Sequence, residues 1–237
     1  MSLTKVLHYV GIMNMGGQET FIMNLYKQID RTKIQFDFLT LGMEKGYYDN
    51  EIEKLGGKVY SIPYRKKSII QYIKNIRSIF RNYPIVHIHT ASTKVIFDVI
   101  IAKLVGVKKI IVHSHSISDQ DSKLIHLLCK CFLKFTPIMR FACSKEAGEW
   151  LFGKKKEVYI VKNGIDTSQY RYQSENREKK RKELGILDSD KVIGHIGRFS
   201  KEKNHDFILK IFYKIAKDSN TKLLLIGDRR RKKENRK

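Results

Sequence analysis

Short apolar runs alternate with segments of helical period along most of this chain, and that alternation limits its fold more than any other feature. The strand candidates cover residues 5–12, 34–41, 57–62, 85–90, 109–113, 139–143 and 158–161. The helix candidates cover residues 18–28, 68–81, 93–105, 119–135 and 145–152. Strands and helices that alternate at this spacing predict a parallel sheet with helices on both faces. We therefore predict an α/β fold, with one complete domain over residues 1–166.

A second unit of the same kind follows a polar segment. Residues 167–189 are mostly polar and charged, which predicts a linker. A strand at 192–196, a loop, a helix at 205–217 and a strand at 223–226 come next. One strand–helix–strand unit cannot cover both faces of its own sheet. We therefore predict that residues 190–228 begin a second domain that this chain does not complete.

The formal net charge of +23 would attract polyanions such as nucleic acid, anionic lipid or phosphorylated substrates. Residues 229–237 hold seven basic residues and one glutamate, and we treat them as a separate basic tail. The remaining charge is spread along the chain without the aromatic signature of RNA-binding domains. This distribution favours solvated faces or a patch that contacts anionic membrane. We expect no nucleic-acid partner and keep nucleic-acid binding as a distant alternative.

Cysteine content and hydropathy bear on the compartment. The chain has 3 cysteines without a disulfide framework, which favours a reducing environment. No apolar run approaches the ~20 residues that span a bilayer, and the first residues lack the apolar core of a secretory signal. These features predict a cytoplasmic protein, with peripheral contact to the inner face of the plasma membrane as a further expectation.

Gly16 and Gly17 lie between the first predicted strand and the first predicted helix. Paired glycines let backbone N–H groups approach an anion at a helix N-terminus. A simple strand-to-helix turn explains them equally well. The segment also lacks the G-x-G-x-x-G pattern of nicotinamide-dependent dehydrogenases.

Two His-x-His pairs, His87/His89 and His113/His115, lie at the carboxyl ends of predicted parallel strands. Ligands bind at this edge of open α/β sheets, and alternate residues of a strand share one face. Cys143 ends a neighbouring strand, so a metal site is one interpretation. We predict no metal, because no carboxylate has a convincing ligand spacing. For His87 and His89 we prefer the interpretation of satisfied polar residues at a strand end.

A glycine turn with two cations opens the second unit. Gly197 follows a strand, and Arg198 and Lys203 come just before a helix. A guanidinium, an ammonium and a helix N-terminus together form a site for a diphosphate. Two surface cations in a loop would be the alternative interpretation.

These segments also occur together in a known family. The sequences at 16–19 (GGQE), 113–115 (HSH), 142–152 (ACSKEAGEWLF), 163–166 (NGID) and 197–204 (GRFSKEKN) appear in the same order in retaining glycosyltransferases of the GT-B fold. The chain resembles glycosyltransferase family 4, or group 1, and bacterial capsular and exopolysaccharide transferases in particular. The resemblance extends over residues 5–228. It implies a complete Rossmann-like domain on the acceptor side and the first βαβ unit of a donor-binding domain.

The resemblance also implies an activity and a site. The family transfers a sugar from a nucleoside-diphosphate sugar, here expected to be UDP-linked, to a glycan or lipid-linked acceptor in surface polysaccharide biosynthesis. His115 matches the family's catalytic histidine, which contacts the transferred sugar and steadies the reacting centre. Gly16, Gly17, Arg198 and Lys203 match positions that face the donor diphosphate. Further cleft candidates are His113, Ser144, Glu146, Asn163 and Gly197.

No cofactor or metal is implied, because cations would neutralise the leaving diphosphate. The amino-terminal domain would supply the acceptor side, with Gly46–Tyr48 and Arg65–Lys67 as loop contacts.

The sequence departs from the family after Gly227-Asp228, where Arg229 stands in place of a glycine. The base-binding positions and the glutamate pair of the family's second domain have no counterpart. We therefore expect a truncated transferase. A frameshift and an evolved basic tail are both compatible with residues 229–237. The alternatives to an active enzyme are a non-catalytic fragment and the acceptor-side half of a split transferase.

Overall fold

The computed structural model describes residues 3–117, 122–216 and 220–227. The chain divides into an amino-terminal unit, Met1–Asp166, and a carboxyl-terminal unit, Thr167–Lys237. The basic tail at 229–237 and the start of the helix predicted at 119–135 lie outside the described residues.

A seven-stranded sheet, parallel throughout, forms the centre of the amino-terminal unit, with the strand order β3-β2-β1-β4-β5-β6-β7. The strands are β1 Thr4–Tyr9, β2 Ile34–Leu41, β3 Val59–Ile62, β4 Ile85–Thr90, β5 Lys109–Ser114, β6 Met139–Ala142 and β7 Tyr159–Ile160. The chain builds the sheet outward from β1 in one direction and from β4 in the other. The order therefore reverses between β1 and β4, where open α/β sheets form ligand-binding crevices. The predicted α/β fold with a parallel sheet is confirmed.

Six helices accompany this sheet among the described residues. They are α1 Gly17–Gln28, α2 Asp49–Lys54, α3 Ile69–Phe80, α4 Val95–Leu104, α5 Lys123–Phe135 and α6 Lys145–Phe152. The sequence pattern did not predict α2, because it has six residues and its one buried apolar side chain is Ile52. No helix in the described ranges is both long and apolar enough to cross a membrane.

The core lies on both faces of the sheet, since successive strand residues point to opposite sides. On one face Leu7, Val86 and Val112 pack in a cluster with residues of α3, α4, α5 and α6. On the other face Val6 and Phe38 pack in a second cluster with residues of α1 and α2. The histidines described below lie on this second face, near the carboxyl ends of the strands.

The carboxyl-terminal unit contains a smaller parallel pair of strands. Its elements are α7 Ser174–Glu183, β8 Lys191–Ile196, α8 His205–Ile215 and β9 Thr221–Ile226, and β8 pairs with β9. Helix α7 lies inside the segment predicted as a linker. The Arg181 guanidinium donates hydrogen bonds to the carbonyls of Leu187 and Asp190, which ties the end of α7 to the start of β8. The polar sequence therefore forms a helix, although its outer surface has no apolar period.

Candidate active site

Five histidines form a row on the α1 side of the amino-terminal sheet. This histidine row consists of His8 on β1, His87 and His89 on β4, His113 on β5 and His115 directly after β5. His8 lies opposite His87 and His89 opposite His113 in the strand register. The four strand histidines are buried, with 8% exposure or less. The structure thus brings both predicted His-x-His pairs together and adds His8.

Hydrogen bonds connect the row in two groups. The Nδ1 atom of His8 lies 2.9 Å from Nε2 of His89, and Nδ1 of His89 lies 2.9 Å from Nε2 of His115. In the second group, Nε2 of His87 lies 3.3 Å from Nδ1 of His113. His89, which the sequence suggested as a satisfied polar residue, therefore joins His8 to His115.

The row is uncharged at neutral pH. Burial, followed by the interaction with His113, lowers the pKa of His8 to about 3. Burial, followed by the interactions with His115 and His87, lowers the pKa of His113 to about 2. Burial lowers the pKa of His115 to about 4. The pKa values of His87 and His89 are also lowered, first by burial and then by the other imidazoles. A protonated row would bring positive rings together in a low-dielectric site, so the neutral form is strongly favoured.

The hydrogen bonds that connect His8, His89 and His115 have a preferred donor-to-acceptor direction. A neutral imidazole has one donor and one acceptor nitrogen. Nε2 of His8 is buried and has no hydrogen-bond partner among the described residues. If Nδ1 of His8 donates to His89, the buried Nε2 atom carries an unpaired lone pair. If His89 donates to His8 instead, Nε2 carries an unpaired N–H group, and burying that group costs more free energy. The favoured direction makes Nε2 of His115 an acceptor and places the His115 proton on Nδ1.

Two triplets within the row could also hold a metal ion. His8, His87 and His89 form one, and His89, His113 and His115 form the other, each with three ring nitrogens within 4.8 Å of one another. Neutral imidazole is the form that binds metals. However, the closest nitrogens already form hydrogen-bonded pairs, in each of which one nitrogen carries a proton and the other uses its lone pair. The expectation of a metal-free site stays a prediction.

The glycine loop begins α1, as predicted. Gly16 is the N-cap of α1 and Gly17 its first residue. The Glu19 carboxylate folds back over Gly16, so that a Cβ atom on Gly16 would overlap it, whereas the space beside Gly17 is open. A carboxylate at a helix N-terminus interacts favourably with the helix dipole. An incoming phosphate would therefore have to displace Glu19.

A cleft of about 920 Å³ opens near this loop, within the amino-terminal unit. It is lined by residues of β1, α1, β4, α4 and the segment after β3, among them Gly11, Glu19, Lys66, His89 and Thr90. His89, whose ring contacts His115, is thus also one of the residues that line the cleft. The cleft lies at the carboxyl ends of β1 and β4, where the strand order reverses.

One wall of the cleft is a buried polar network. Arg65 is the one member of this network that the sequence predicted as a loop contact. The Arg65 guanidinium lies 2.8 Å from Oδ1 of Asp98, and the Tyr72 hydroxyl donates to the same oxygen at 2.7 Å. The hydroxyls of Tyr9 and Tyr72 are 2.5 Å apart. Burial raises the pKa of Asp98, and the nearby Arg65 opposes that rise. The ion pair holds Arg65 at the cleft wall.

The other predicted acceptor-side segment, Gly46–Tyr48, packs against the loop after β1. The backbone N–H of Tyr47 donates to Oδ1 of Asn14 at 3.1 Å, and that of Tyr48 donates to the carbonyl of Met13 at 2.9 Å. A Cβ atom on Gly46 would lie 2.8 Å from the same Met13 carbonyl oxygen. The segment therefore supports the glycine loop from behind.

Ser144, Glu146 and Asn163 lie at other carboxyl ends of the same sheet. Ser144 is the N-cap of α6, where its hydroxyl accepts a hydrogen bond from the backbone N–H of Ala147 at 3.2 Å. Glu146 lies in the first turn of α6, and hydrogen bonds from its own backbone N–H and from Ser144 lower its pKa. Asn163 is exposed after β7. Ser144 and Glu146 have helix-capping contacts that account for them locally.

In the carboxyl-terminal unit, the predicted cations surround the start of α8. Gly197 and Arg198 follow β8, and Lys203 ends a short 3-10 turn just before α8. Arg198 and Lys203 are both exposed. Asn204, the N-cap of α8, has the left-handed φ of 47° that turns the chain into the helix. A cavity of about 600 Å³ lies beside this turn, lined by Phe199, Ser200, Lys201, Asn204, His205 and Asp206.

Comparison with protein families decides the identity of these units. Residues 15–169 match the model of Glycosyltransferase Family 4, and residues 176–237 match that of Glycosyl transferases group 1. The chain belongs to glycosyltransferase family 4. The resemblance drawn from the ordered motifs is thereby confirmed.

Curated relatives of this chain are also named as glycosyltransferases. EpsF of Bacillus subtilis (strain 168), assigned as a glycosyltransferase, is 32% identical over 96% of this chain and 62% of its own length. The capsular polysaccharide biosynthesis glycosyltransferase CapH of Staphylococcus aureus is 24% identical over 93% of this chain and 61% of its own length. This family 4 chain therefore spans slightly more than three fifths of each relative.

Solved structures agree on the fold. Anabaena HepE in complex with UDP and glucose superposes with a TM-score of 0.74 at 16% identity, over 96% of this chain and 62% of HepE. Sucrose-phosphate synthase from Thermosynechococcus elongatus superposes with a TM-score of 0.66 at 13% identity, over 94% of this chain and 62% of that enzyme. The GT-B assignment of the fold is confirmed.

Proposed function

We propose that this family 4 chain serves in a retaining glycosyl transfer from a UDP-linked sugar to a glycan or lipid-linked acceptor in surface polysaccharide biosynthesis. The observation that carries the proposal is His115. It is a neutral imidazole at the carboxyl edge of the sheet, oriented by a hydrogen bond from His89. A neutral, oriented imidazole can hydrogen-bond a sugar hydroxyl without placing a positive charge beside the reacting carbon.

The donor diphosphate would be bound by Arg198, Lys203 and the N-terminus of α8. A forked guanidinium and a helix N-terminus both favour phosphate oxygens. The complexes of HepE with UDP support a nucleotide-sugar donor of the same kind. Neither a metal nor a cofactor is part of the proposal, because the two cations can neutralise the leaving diphosphate.

The acceptor would enter the 920 Å³ cleft of the amino-terminal unit. Arg65 and Lys66 line this cleft, and Arg65 is held in place by Asp98. Cations at the mouth of such a cleft suit an acceptor that carries phosphate or carboxylate groups. An acceptor linked to a lipid would also bring the protein to an anionic membrane.

Calorimetric titration of the chain with UDP and UDP-glucose tests the donor part of the proposal. We expect binding that Arg198→Ala and Lys203→Ala each weaken about tenfold, as for the loss of one charge-assisted hydrogen bond. Arg177→Ala provides a matched control, since Arg177 is an exposed cation on α7. Equal weakening by all three variants would indicate general electrostatic attraction. A folded chain that binds no nucleotide would favour a non-catalytic fragment or one half of a split transferase.

A further inference from the structure

Helix α5 has two apolar faces, and only one of them packs against the sheet. Cys129 and Leu133 point into the core of the amino-terminal unit and are buried. A second apolar stripe points outward, with side-chain positions that recur every three to four residues. The members of this outer stripe are Leu124, Leu127, Leu128, Cys131, Phe132 and Phe135, all of them exposed.

The exposed apolar face of α5 differs from that of α8, which is a helix without a covering partner for its inner face. Helix α8 also exposes apolar side chains such as Phe207 and Leu209, but it contains no buried residue. Its exposed stripe is thus the face that would normally pack on a sheet. Helix α5 already packs one face in the core, so its outer stripe needs a different occupant. Contiguous exposed apolar patches of this kind mark interaction sites.

Lysines border the outer stripe along one side of α5. Lys123, Lys130 and Lys134 are spaced seven and four residues apart, which places them on one flank of the helix. At the end of the stripe, the ammonium groups of Lys134 and Lys156 lie 5.6 Å and 5.7 Å from the centre of the Phe135 ring. Lys154 and Lys155, next to Lys156, are exposed.

Acidic residues are absent from the same segment. The sequence contains no aspartate or glutamate between Ser122 and Lys145. A second copy of this basic chain, or a neutral protein groove, would leave the flanking lysines without partners of opposite charge. An anionic lipid surface satisfies both features, because acyl chains receive the apolar side chains and head groups pair with the lysines.

We propose that the outer face of α5, with Lys123, Lys134 and Lys154–Lys156, docks on an anionic phospholipid membrane. The helix lies in the plane of the interface, with Phe132 and Phe135 inserted below the head groups. The lysine stems extend along the apolar surface and keep their charges at head-group level. This assigns a place to the membrane contact of the proposed function and rests on that proposal, and the surface comprises α5 and the lysines that follow α6.

Sedimentation with vesicles tests this surface in the chain as it stands. We expect the chain to sediment with vesicles of phosphatidylcholine and phosphatidylglycerol and to stay in solution with phosphatidylcholine alone. Phe132→Glu should lower partitioning into the vesicles about tenfold or more. It removes one aromatic ring that the membrane would bury, and it adds a negative charge that the anionic head groups repel. Ile70→Glu is the matched control, since Ile70 is 78% exposed on α3 and lies outside the stripe. The double variant Lys123→Gln, Lys134→Gln should weaken binding to the anionic vesicles.

Insertion is measured directly with tryptophan. Leu128→Trp should be quenched by nitroxide-labelled lipid more strongly than Ile70→Trp, and Trp150 gives both variants the same background. Equal sedimentation of the parent, Phe132→Glu and Ile70→Glu would overturn the proposal, because charge elsewhere would then be sufficient. A dimer in solution that Phe132→Glu dissociates, without vesicle binding by the parent, would also overturn it. Loss of UDP binding leaves these readouts unchanged, so failure of the proposed function is distinguishable.

Discussion

The two units of this glycosyltransferase family 4 chain differ in how completely their secondary structure is covered. In the amino-terminal unit, residues of the central strands such as Leu7, Val86 and Val112 have no exposed surface. In the carboxyl-terminal unit, Ile196 on β8 is 78% exposed, and α8 contains no buried residue. The same α/β pattern therefore gives a finished core in one unit and an open one in the other.

The difference separates two kinds of chemistry. The histidine row lies inside the finished core, where burial removes its charge and fixed neighbours orient its rings. Arg198 and Lys203 lie exposed in the open unit, where solvent and salt weaken their interactions. The first group is held in place by its protein neighbours, whereas the side chains of the second are exposed to solvent.

The largest expected effect tests the difference in packing. Phe80→Ala in α3 should lower the free energy of unfolding by about 3–5 kcal/mol, as for a fully buried phenylalanine. Phe207→Ala in α8 should change it by less than about 1 kcal/mol, because Phe207 is 56% exposed. Trp150, the only tryptophan, reports on the amino-terminal unit during urea unfolding. A shift of the Trp150 transition by Phe207→Ala as large as that by Phe80→Ala would contradict the difference in packing.

The next effect concerns pH. Below pH 6.5 the histidines of the unfolded chain bind protons, whereas the folded histidine row stays neutral because its pKa values are lowered. Stability is therefore highest above pH 6.5 and is lost as the pH falls toward the folded values. Each row histidine contributes a slope of about 1.4 kcal/mol per pH unit in this window. Urea unfolding between pH 7 and pH 4.5, followed by Trp150 fluorescence, measures it.

A variant of His8 measures the contribution of that one histidine to the pH dependence of stability. His8→Phe should reduce the slope by about 1.4 kcal/mol per pH unit, which corresponds to one proton. The reason is that the pKa of His8 is lowered to about 3 in the folded chain. Val6→Ala is the matched control, because Val6 is also buried on the same face of β1 and does not titrate in this range. It should lower stability at every pH without changing the slope. An unchanged slope in His8→Phe would mean that the row does not control the acid sensitivity.

The sequence pattern predicted the regular elements well where apolar period and burial agree. The bounds of β2, β4 and α6 match the predicted ranges residue for residue. Helix α7 was missed as an element because its one buried side chain is the charged Arg181, whose partners at Leu187 and Asp190 lie beyond the helix. Local polarity carries no information about such a contact.

The candidate site shows the same limit. The strand-end positions of His89 and His115 follow from alternation and parallel topology, and both were predicted there. His8 was missed because its partner His89 lies 81 residues away in the sequence. Only the register between β1 and β4 brings the two rings together, and a strand pattern does not define register. A lone histidine in an apolar strand, one residue before its end, was the available signal.

The smallest expected effect is a shift between tautomers of His115. In the parent chain the proton of His115 should lie on Nδ1, because the chain of hydrogen bonds runs outward from His8. His8→Phe removes the buried nitrogen that sets this direction, so both tautomers of His115 become accessible. The expected change is about fivefold in tautomer ratio, equivalent to about 1 kcal/mol for one neutral hydrogen bond.

Ring 15N chemical shifts of His115, assigned by loss of the signals in His115→Asn, distinguish the two tautomers. Val6→Ala should leave the ratio unchanged, since Val6 has no role in the hydrogen-bond chain. A proton found on Nε2 of His115 in the parent would reverse the inferred direction. In that case the buried end of the hydrogen-bond chain at His8 would not set the tautomer of His115, and the contrast between a site organised by buried neighbours and an exposed pair of cations would be weakened.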